Sequence, residues 1–208
     1  SLRLGVATDT GDAEGQPVTE VEVPAFDADR LGQVLAALRG ERLQVPPMYS
    51  ALKRGGRPLY ELARQGIEVE REARPITIES LVVTGQGDRT LDIEVVCSKG
   101  TYVRVLAEEI AAGLGTHAHL VALRRRWVEP FEQAAMVTLA EVEATPAAEP
   151  ASAPWLAAVD TAFPEVPVLA LNAGQALQLC QGRMLPCPSG LPYAAHYRAY
   201  DPAGRFLG

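Results

Sequence analysis

Ser98-Lys99-Gly100-Thr101-Tyr102-Val103-Arg104-Val105-Leu106 joins a strand pattern to a helix pattern and places an ammonium, a phenol and a guanidinium at the boundary. Upstream, Leu91, Ile93, Val95 and Cys97 alternate with Asp92, Glu94 and Val96, the period-2 signature of a half-buried strand. Downstream, Leu106, Ile110 and Leu114 recur at helical spacing, with Gly113 and Gly115 as a stop. Scaffolds present functional side chains at such boundaries. Arginine forks bidentately onto carboxylate or phosphate, while tyrosine offers a stacking face and a hydroxyl, so the pair suits an anionic, planar, base-like ligand. A packed tyrosine and a surface arginine would look the same in sequence.

Working toward the N-terminus, the spacing predicts strands over 76–83 and 90–97, joined by the turn residues Gly85-Gln86-Gly87-Asp88-Arg89. Residues 45–75 read as a long basic excursion from the core. Their Pro46-Pro47 and Gly55-Gly56 pairs break any element, and only 58–64 looks helical, stopped by Gly66. Leu31, Val34, Leu35 and Leu38 define an amphipathic helix with Asp27 as N-cap and Gly40 beyond its end. A short strand is expected over 18–23. The chain opens without methionine on a strand already in progress, so its start reads as cut.

Toward the C-terminus, 136–143 suggests a helix, and 144–154 is low in complexity and proline-punctuated, an exposed linker. A short helix over 172–180 and a strand at 197–200 entering the turn Asp201-Pro202-Ala203-Gly204 suggest a small β module that stops in its second arm at Gly208. The expected class is α+β, a mostly antiparallel mixed sheet with flanking helices. Residues 1–143 form the main domain, 144–162 the connection and 163–208 the module.

Hydrophobic residues make up 48% of the 208-residue chain, enough for a sizeable core. No apolar run approaches the length of about eighteen residues that a membrane span needs. Cys97, Cys180 and Cys187 make neither a disulfide framework nor a zinc set, which suits a reducing cytoplasm. Net charge is −7, an argument against nucleic acid taken alone, yet residues 40–75 hold seven Lys/Arg against five Asp/Glu and 98–127 hold five against two. These two segments form either a docking surface or solvated faces.

Other constellations are weaker. Arg54-Gly55-Gly56-Arg57 could cradle a phosphate or simply turn. His117 and His119 would share a strand face but have no third ligand nearby, so no metal is expected. Asp9 and Asp12 could be an acid/base pair, as in a metal-free glycoside hydrolase, or turn aspartates bonded to their own backbone. Cys97 reads as core.

Motif order carries the reading further. Thr8-Asp9-Thr10-Gly11-Asp12-Ala13-Glu14-Gly15, Pro47-Met48-Tyr49-Ser50-Ala51-Leu52-Lys53, Leu59-Tyr60-Glu61-Leu62-Ala63-Arg64-Gln65-Gly66, Arg71-Glu72-Ala73-Arg74-Pro75-Ile76, the stretch 98–104, Ala118-His119-Leu120 and Leu123-Arg124-Arg125 together resemble bacterial TruB-type tRNA pseudouridine synthases. The resemblance implies the pseudouridine synthase fold with a PUA-like, truncated C-terminal module, and isomerisation of uridine 55 in the tRNA T-loop without metal or organic cofactor. The base must leave its stack, and an aspartate attacks while the detached uracil is held, turned and rejoined through carbon.

By the same resemblance, Arg104 orients the catalytic carboxylate, Tyr102 contacts the flipped uridine, Leu123 lines the pocket and Asp12 supports the site. Lys99 neutralises RNA phosphate, and Lys53, Arg54, Arg57, Arg64, Tyr49 and Arg124 grip tRNA at its elbow. The chain is expected to act as a monomer, away from membranes. The family's nucleophile belongs to a Gly-x-Leu-Asp-Pro block expected before Ser1, so these 208 residues alone are expected to form no pseudouridine. A non-catalytic tRNA-binding or RNA-remodelling protein with the same surface is the alternative.

Overall fold

A computed structural model of the chain describes residues 1–134, 136–144, 153, 155–186, 190 and 194–208. The expected linker falls mainly on residues 145–152 and 154, which lie outside the described residues, as does Cys187. Two compact units are present, Ser1–Arg124 and Arg125–Gly208. The division comes earlier than the expected one at 143, so the helix expected at the end of the first domain falls in the second unit.

The first unit is built on a five-stranded sheet of order β4-β7-β8-β1-β9, whose neighbours all pair antiparallel. Its strands are β1 (Leu2–Leu4), β4 (Gly40–Gln44), β7 (Arg74–Gln86), β8 (Thr90–Cys97) and β9 (Ala118–Leu120). The central hairpin follows from the alternation that was legible in sequence, but β7 runs beyond 76–83 at both ends. Register shifts between Ile78 and Ser80 and between Val83 and Gly85 bulge β7 against its partner. Helices α1 (Ala28–Leu38) and α3 (Val103–Gly113) bury Leu31, Val34 and Leu35, and Leu106 and Ile110, in one core with Leu2, Leu4, Ile78, Leu81 and Leu91. Each such side chain contributes about 2 kcal/mol on leaving water. As expected, Asp27 caps α1, accepting the Arg30 N–H at 2.8 Å.

Gly5 is where the chain leaves the sheet. Its φ of +89° suits glycine, and a Cβ there would stand 3.0 Å from the Val21 carbonyl oxygen. The expected continuous strand at the N-terminus is therefore divided into β1 and β2 (Val6–Thr8). The latter pairs with β3 (Pro17–Glu20) as a separate ribbon. This detour carries the turn with Asp9 and Asp12 toward α3.

The excursion at 45–75 is more ordered than its composition suggested. Gly55 and Gly56, at φ +58° and +83°, form the two-residue turn of a short hairpin, β5 (Lys53–Arg54) with β6 (Arg57–Pro58). Helix α2 (Leu59–Arg64) follows directly. The glycines thus make an element where they were expected to break one, because two consecutive positive φ values suit a tight hairpin.

In the second unit, α4 (Leu139–Glu143) and α5 (Ala173–Cys180) each start from a capping box, at Thr138 and Asn172. Strands β10 (Val168–Ala170) and β11 (Arg198–Tyr200) pair in parallel, and Phe206 returns to bridge Tyr200. Leu171, Ala176 and Ala199 form its small core. Among the described residues no helix is long and apolar enough to cross a membrane.

Candidate active site

The boundary between β8 and α3 is moored to β7. Ser98 donates its N–H to the Thr77 carbonyl at 2.9 Å, and its Oγ accepts the Thr77 N–H at 2.9 Å. Gly100, at φ +87°, reverses the chain so that Tyr102 becomes the N-cap of α3. No side chain of its own element caps that helix; instead Gln44, at the end of β4, reaches Tyr102. The Tyr102 N–H donates to Gln44 Oε1 at 2.8 Å, and Gln44 Nε2 donates to the Tyr102 carbonyl at 3.3 Å.

Arg104, in the first turn of α3, is held from three directions. Nη1 donates to the Thr10 carbonyl at 2.9 Å and to Asp12 Oδ2 at 3.2 Å, and Nη2 donates to the Tyr49 carbonyl at 2.6 Å. The loop supplying Thr10 and Asp12 approaches α3 through Gly11, where a Cβ would stand 2.9 Å from Glu108 Oε1 and 3.4 Å from Arg104 Cβ. Guanidinium carries five N–H donors. Three are used, so Nε–H and one Nη2 proton remain without a partner among the described residues. The side chain is partly accessible, at 23%. The arrangement can therefore receive a second, external carboxylate on an arginine whose direction is already fixed.

Asp12 is itself oriented. Its Oδ1 accepts from Thr10 Oγ1 at 2.8 Å and from the Glu14 N–H at 3.2 Å, leaving Oδ2 to face Arg104. Asp9 serves its own turn by accepting the Gln16 N–H at 2.8 Å. The two aspartates therefore do different work, and the glycosidase-like pairing gains nothing. On α3 beside Arg104, burial raises the carboxyl of Glu108, against the pull of Arg104 and with the repulsion of Glu109. Burial also raises Glu109, which Arg42 at 2.8 Å opposes.

Tyr102 and Lys99 line one cavity of about 290 Å³ with Leu52, Arg74, Pro75, Ile76 and Gly100. No carboxylate lines it, which suits an anionic chain passing its mouth. The structure joins Arg104, Asp12 and the Tyr49 backbone in one cluster, while Tyr102 and Lys99 line a cavity to which none of those three contributes.

The other expected residues lie on the excursion or beyond β9. Lys53, Arg54, Arg57 and Arg64 are exposed. Arg54 donates to the Glu70 carbonyl, Arg57 stands 3.9 Å from Glu61, and Arg64 lies over the Tyr60 ring at 5.4 Å. Leu123 is 67% exposed and is not among the residues lining the cavity beside Tyr102. It follows by three residues Leu120, whose N–H donates to the Gly11 carbonyl at 3.0 Å. Arg124 is exposed beside it. His119 is buried with Nδ1 2.9 Å from the Val6 carbonyl, while His117 is exposed, so the two rings do not meet. Among the described residues no group of three His, Cys, Asp or Glu could hold a metal ion.

Gln44 was not anticipated from sequence. Its one signal was a lone polar residue at the end of a polar strand, which marks nothing without the fold.

Residues 1–103 match the family described as TruB family pseudouridylate synthase, N-terminal domain, and residues 104–162 match the tRNA pseudouridylate synthase B C-terminal domain. The tRNA pseudouridine synthase B of Aromatoleum aromaticum is 50% identical over all of this chain and 66% of its own length. That of Dechloromonas aromatica is 44% identical over all of this chain and 67% of its own length. The chain thus spans about two thirds of the length of these curated relatives. A chain in a Cbf5-Nop10-Gar1 complex aligns with 57% of this chain and 26% of its own, at 23% identity and a TM-score of 0.36.

Proposed function

Given that this chain belongs to the TruB family of pseudouridylate synthases, we propose that it forms the arginine side of the active site of a tRNA pseudouridine synthase. Its substrate is uridine 55 in the T-loop. The observation that carries this reading is Arg104, pinned by Thr10, Asp12 and Tyr49 with two N–H donors left for another carboxylate. An aspartate held there would attack the flipped nucleotide, with Tyr102 against the uracil and Asp12 keeping the guanidinium in place. A carboxylate clamped in two-point contact with arginine stays ionised and aligned. Isomerisation breaks the C–N bond between sugar and base and forms a C–C bond to the same ring, so the chemistry calls for retention of the base and no metal or organic cofactor.

Lys53, Arg54, Arg57 and Arg64 on the excursion, with Lys99 and Arg124, would meet RNA phosphates, and Leu123 would cover the base from the end of β9. Phosphate contacts position the RNA and carry no sequence information, so selectivity for the T-loop would come from its shape and from the base pocket. The working protein is expected to be a cytoplasmic monomer, and residues 163–208 a PUA-like part.

No Gly-x-Leu-Asp-Pro block, the family's nucleophile motif, occurs in the 208 residues. This favours a second reading for the chain by itself, RNA binding without turnover. Tritium release from tRNA carrying 5-tritiated uridine separates the two. The protein that carries this chain should release one tritium per tRNA and the 208 residues none; no release from either would overturn the catalytic reading.

A further inference from the structure

We propose that Gln44 is a positioning residue for the reaction, setting Tyr102 and, through it, the first turn of α3. The inference rests on the functional reading above. Gln44 is 2% exposed, and both ends of its amide engage one residue, Tyr102, through that residue's N–H and carbonyl. A glutamine side chain used this way imitates a neighbouring strand. It extends the hydrogen-bonding edge of β4 past its last backbone partner, the pairing of Gln44 with Arg74.

Two features make the contact directive and not merely cohesive. Tyr102 lies where the chain passes from extended to helical, at φ −94° and ψ 105°, with no side-chain cap to fix it. Holding its N–H and carbonyl at once sets the plane of the peptides on both sides, and hence the line along which its side chain leaves. Arg104 is two residues on, so the same clamp sets where its guanidinium can reach. The excursion that carries Lys53 and Arg54 begins immediately after Gln44 and returns to this junction at the Tyr49 carbonyl. Base contact, carboxylate contact and the root of the RNA-facing excursion thus share one buried amide.

Gln44→Met keeps the volume and removes both hydrogen bonds. In the protein that carries this chain, single-turnover pseudouridine formation with enzyme in excess should slow about tenfold to a hundredfold, the effect of misplacing reacting groups by about an ångström. The dissociation constant for tRNA should stay within about twofold, since every phosphate-facing cation is still in place. Leu35→Ala, a cut in the core that removes neither Gln44 hydrogen bond, serves as the control for lost stability and should keep its rate. An unchanged rate in Gln44→Met, a rate that falls only in step with affinity, or an equal fall of rate in the control would overturn the inference. Should Gln44→Met fail to fold, amide hydrogen exchange at Tyr102 in the unaltered protein decides the matter. Protection matching that of the α3 interior is expected, and exchange as fast as at Lys99 would overturn the clamp. A wild-type protein that forms no pseudouridine would overturn the functional reading, and the positioning role that rests on it would fall with it.

Discussion

Arg104 and Asp12, 92 residues apart in the chain, meet at 3.2 Å between Nη1 and Oδ2. Asp12 uses its other oxygen to close its own turn, so the carboxylate works as a fixed strut for the guanidinium. The two residues should fail differently. Arg104→Met, in the protein that carries this chain, is expected to abolish tritium release while leaving tRNA binding largely intact. Asp12→Asn keeps the turn and the Thr10 and Tyr49 hydrogen bonds to Arg104, so a loss of about tenfold to a hundredfold in rate is expected. Because the pair is partly exposed, the accompanying loss of stability should be about 1 kcal/mol or less. Turnover retained in Arg104→Met would remove the ground for the assignment.

Neutralising Lys53 and Arg57 should weaken tRNA binding and flatten its dependence on salt. Each phosphate no longer neutralised by a side chain lowers the slope of log affinity against log salt by roughly 0.7–0.9. Lys53 should dominate, since Arg57 already stands 3.9 Å from Glu61. Titrations of Lys53→Gln and Arg57→Gln across a salt series check this, and an unchanged slope would mean that the hairpin does not touch the RNA.

Gly113→Ala should destabilise the first unit. A Cβ at Gly113 would stand 2.6 Å from Val34 Cγ1, where α3 packs on α1. Overpacking of this kind costs about 1–3 kcal/mol, offset by up to about 1 kcal/mol from the better helix propensity of alanine. Val34→Ala in the same chain should recover much of the loss. A denaturant midpoint unaffected by Gly113→Ala would show that the helices part freely here.

Glu109 should give stability a measurable pH dependence. Burial raises its carboxyl in the folded chain and Arg42 opposes this, with the net shift upward. The folded protein therefore binds this proton more tightly than the unfolded chain. The stability associated with the protonated form is fully present below the ordinary carboxylate range and declines as pH rises through the raised value. Unfolding free energies of the wild type and Glu109→Gln across mildly acidic pH should diverge in favour of the variant as pH increases. A constant difference would show that Arg42 cancels the burial.

How much of this was legible in the chain depended on whether side-chain pattern or chain geometry held the information. Helix α1 was readable because its apolar spacing and its cap at Asp27 are local. Strand β4 was not, because Gly-Glu-Arg-Leu-Gln at a sheet edge buries only its last residue. Strand β9 spans three residues, too few for a period to show. Tyr102 and Arg104 announced themselves at a boundary, and family resemblance supplied their expected partners. Nothing in spacing could bring Asp12 to Arg104 or Gln44 to Tyr102, since those meetings are made by the detour at Gly5 and by the order of the strands. Leu123 illustrates the reverse case, a residue whose expected role came from family resemblance alone and whose side chain is exposed.

The order β4-β7-β8-β1-β9 has a consequence for how the molecule is assembled. Within that sheet only β7 and β8 are neighbours both in space and in sequence, and every other pairing closes a longer stretch of chain. Since the entropy of closing a loop grows with its length, the hairpin is the natural nucleus, and the 92-residue closure between Arg104 and Asp12 is left for late in folding. The geometry on which chemistry would depend is then among the last properties the chain acquires. It should be surrendered together with the similarly distant pairings of Leu2 with Leu91 and Leu120, so denaturant should silence catalysis as the sheet's circular dichroism begins to fall.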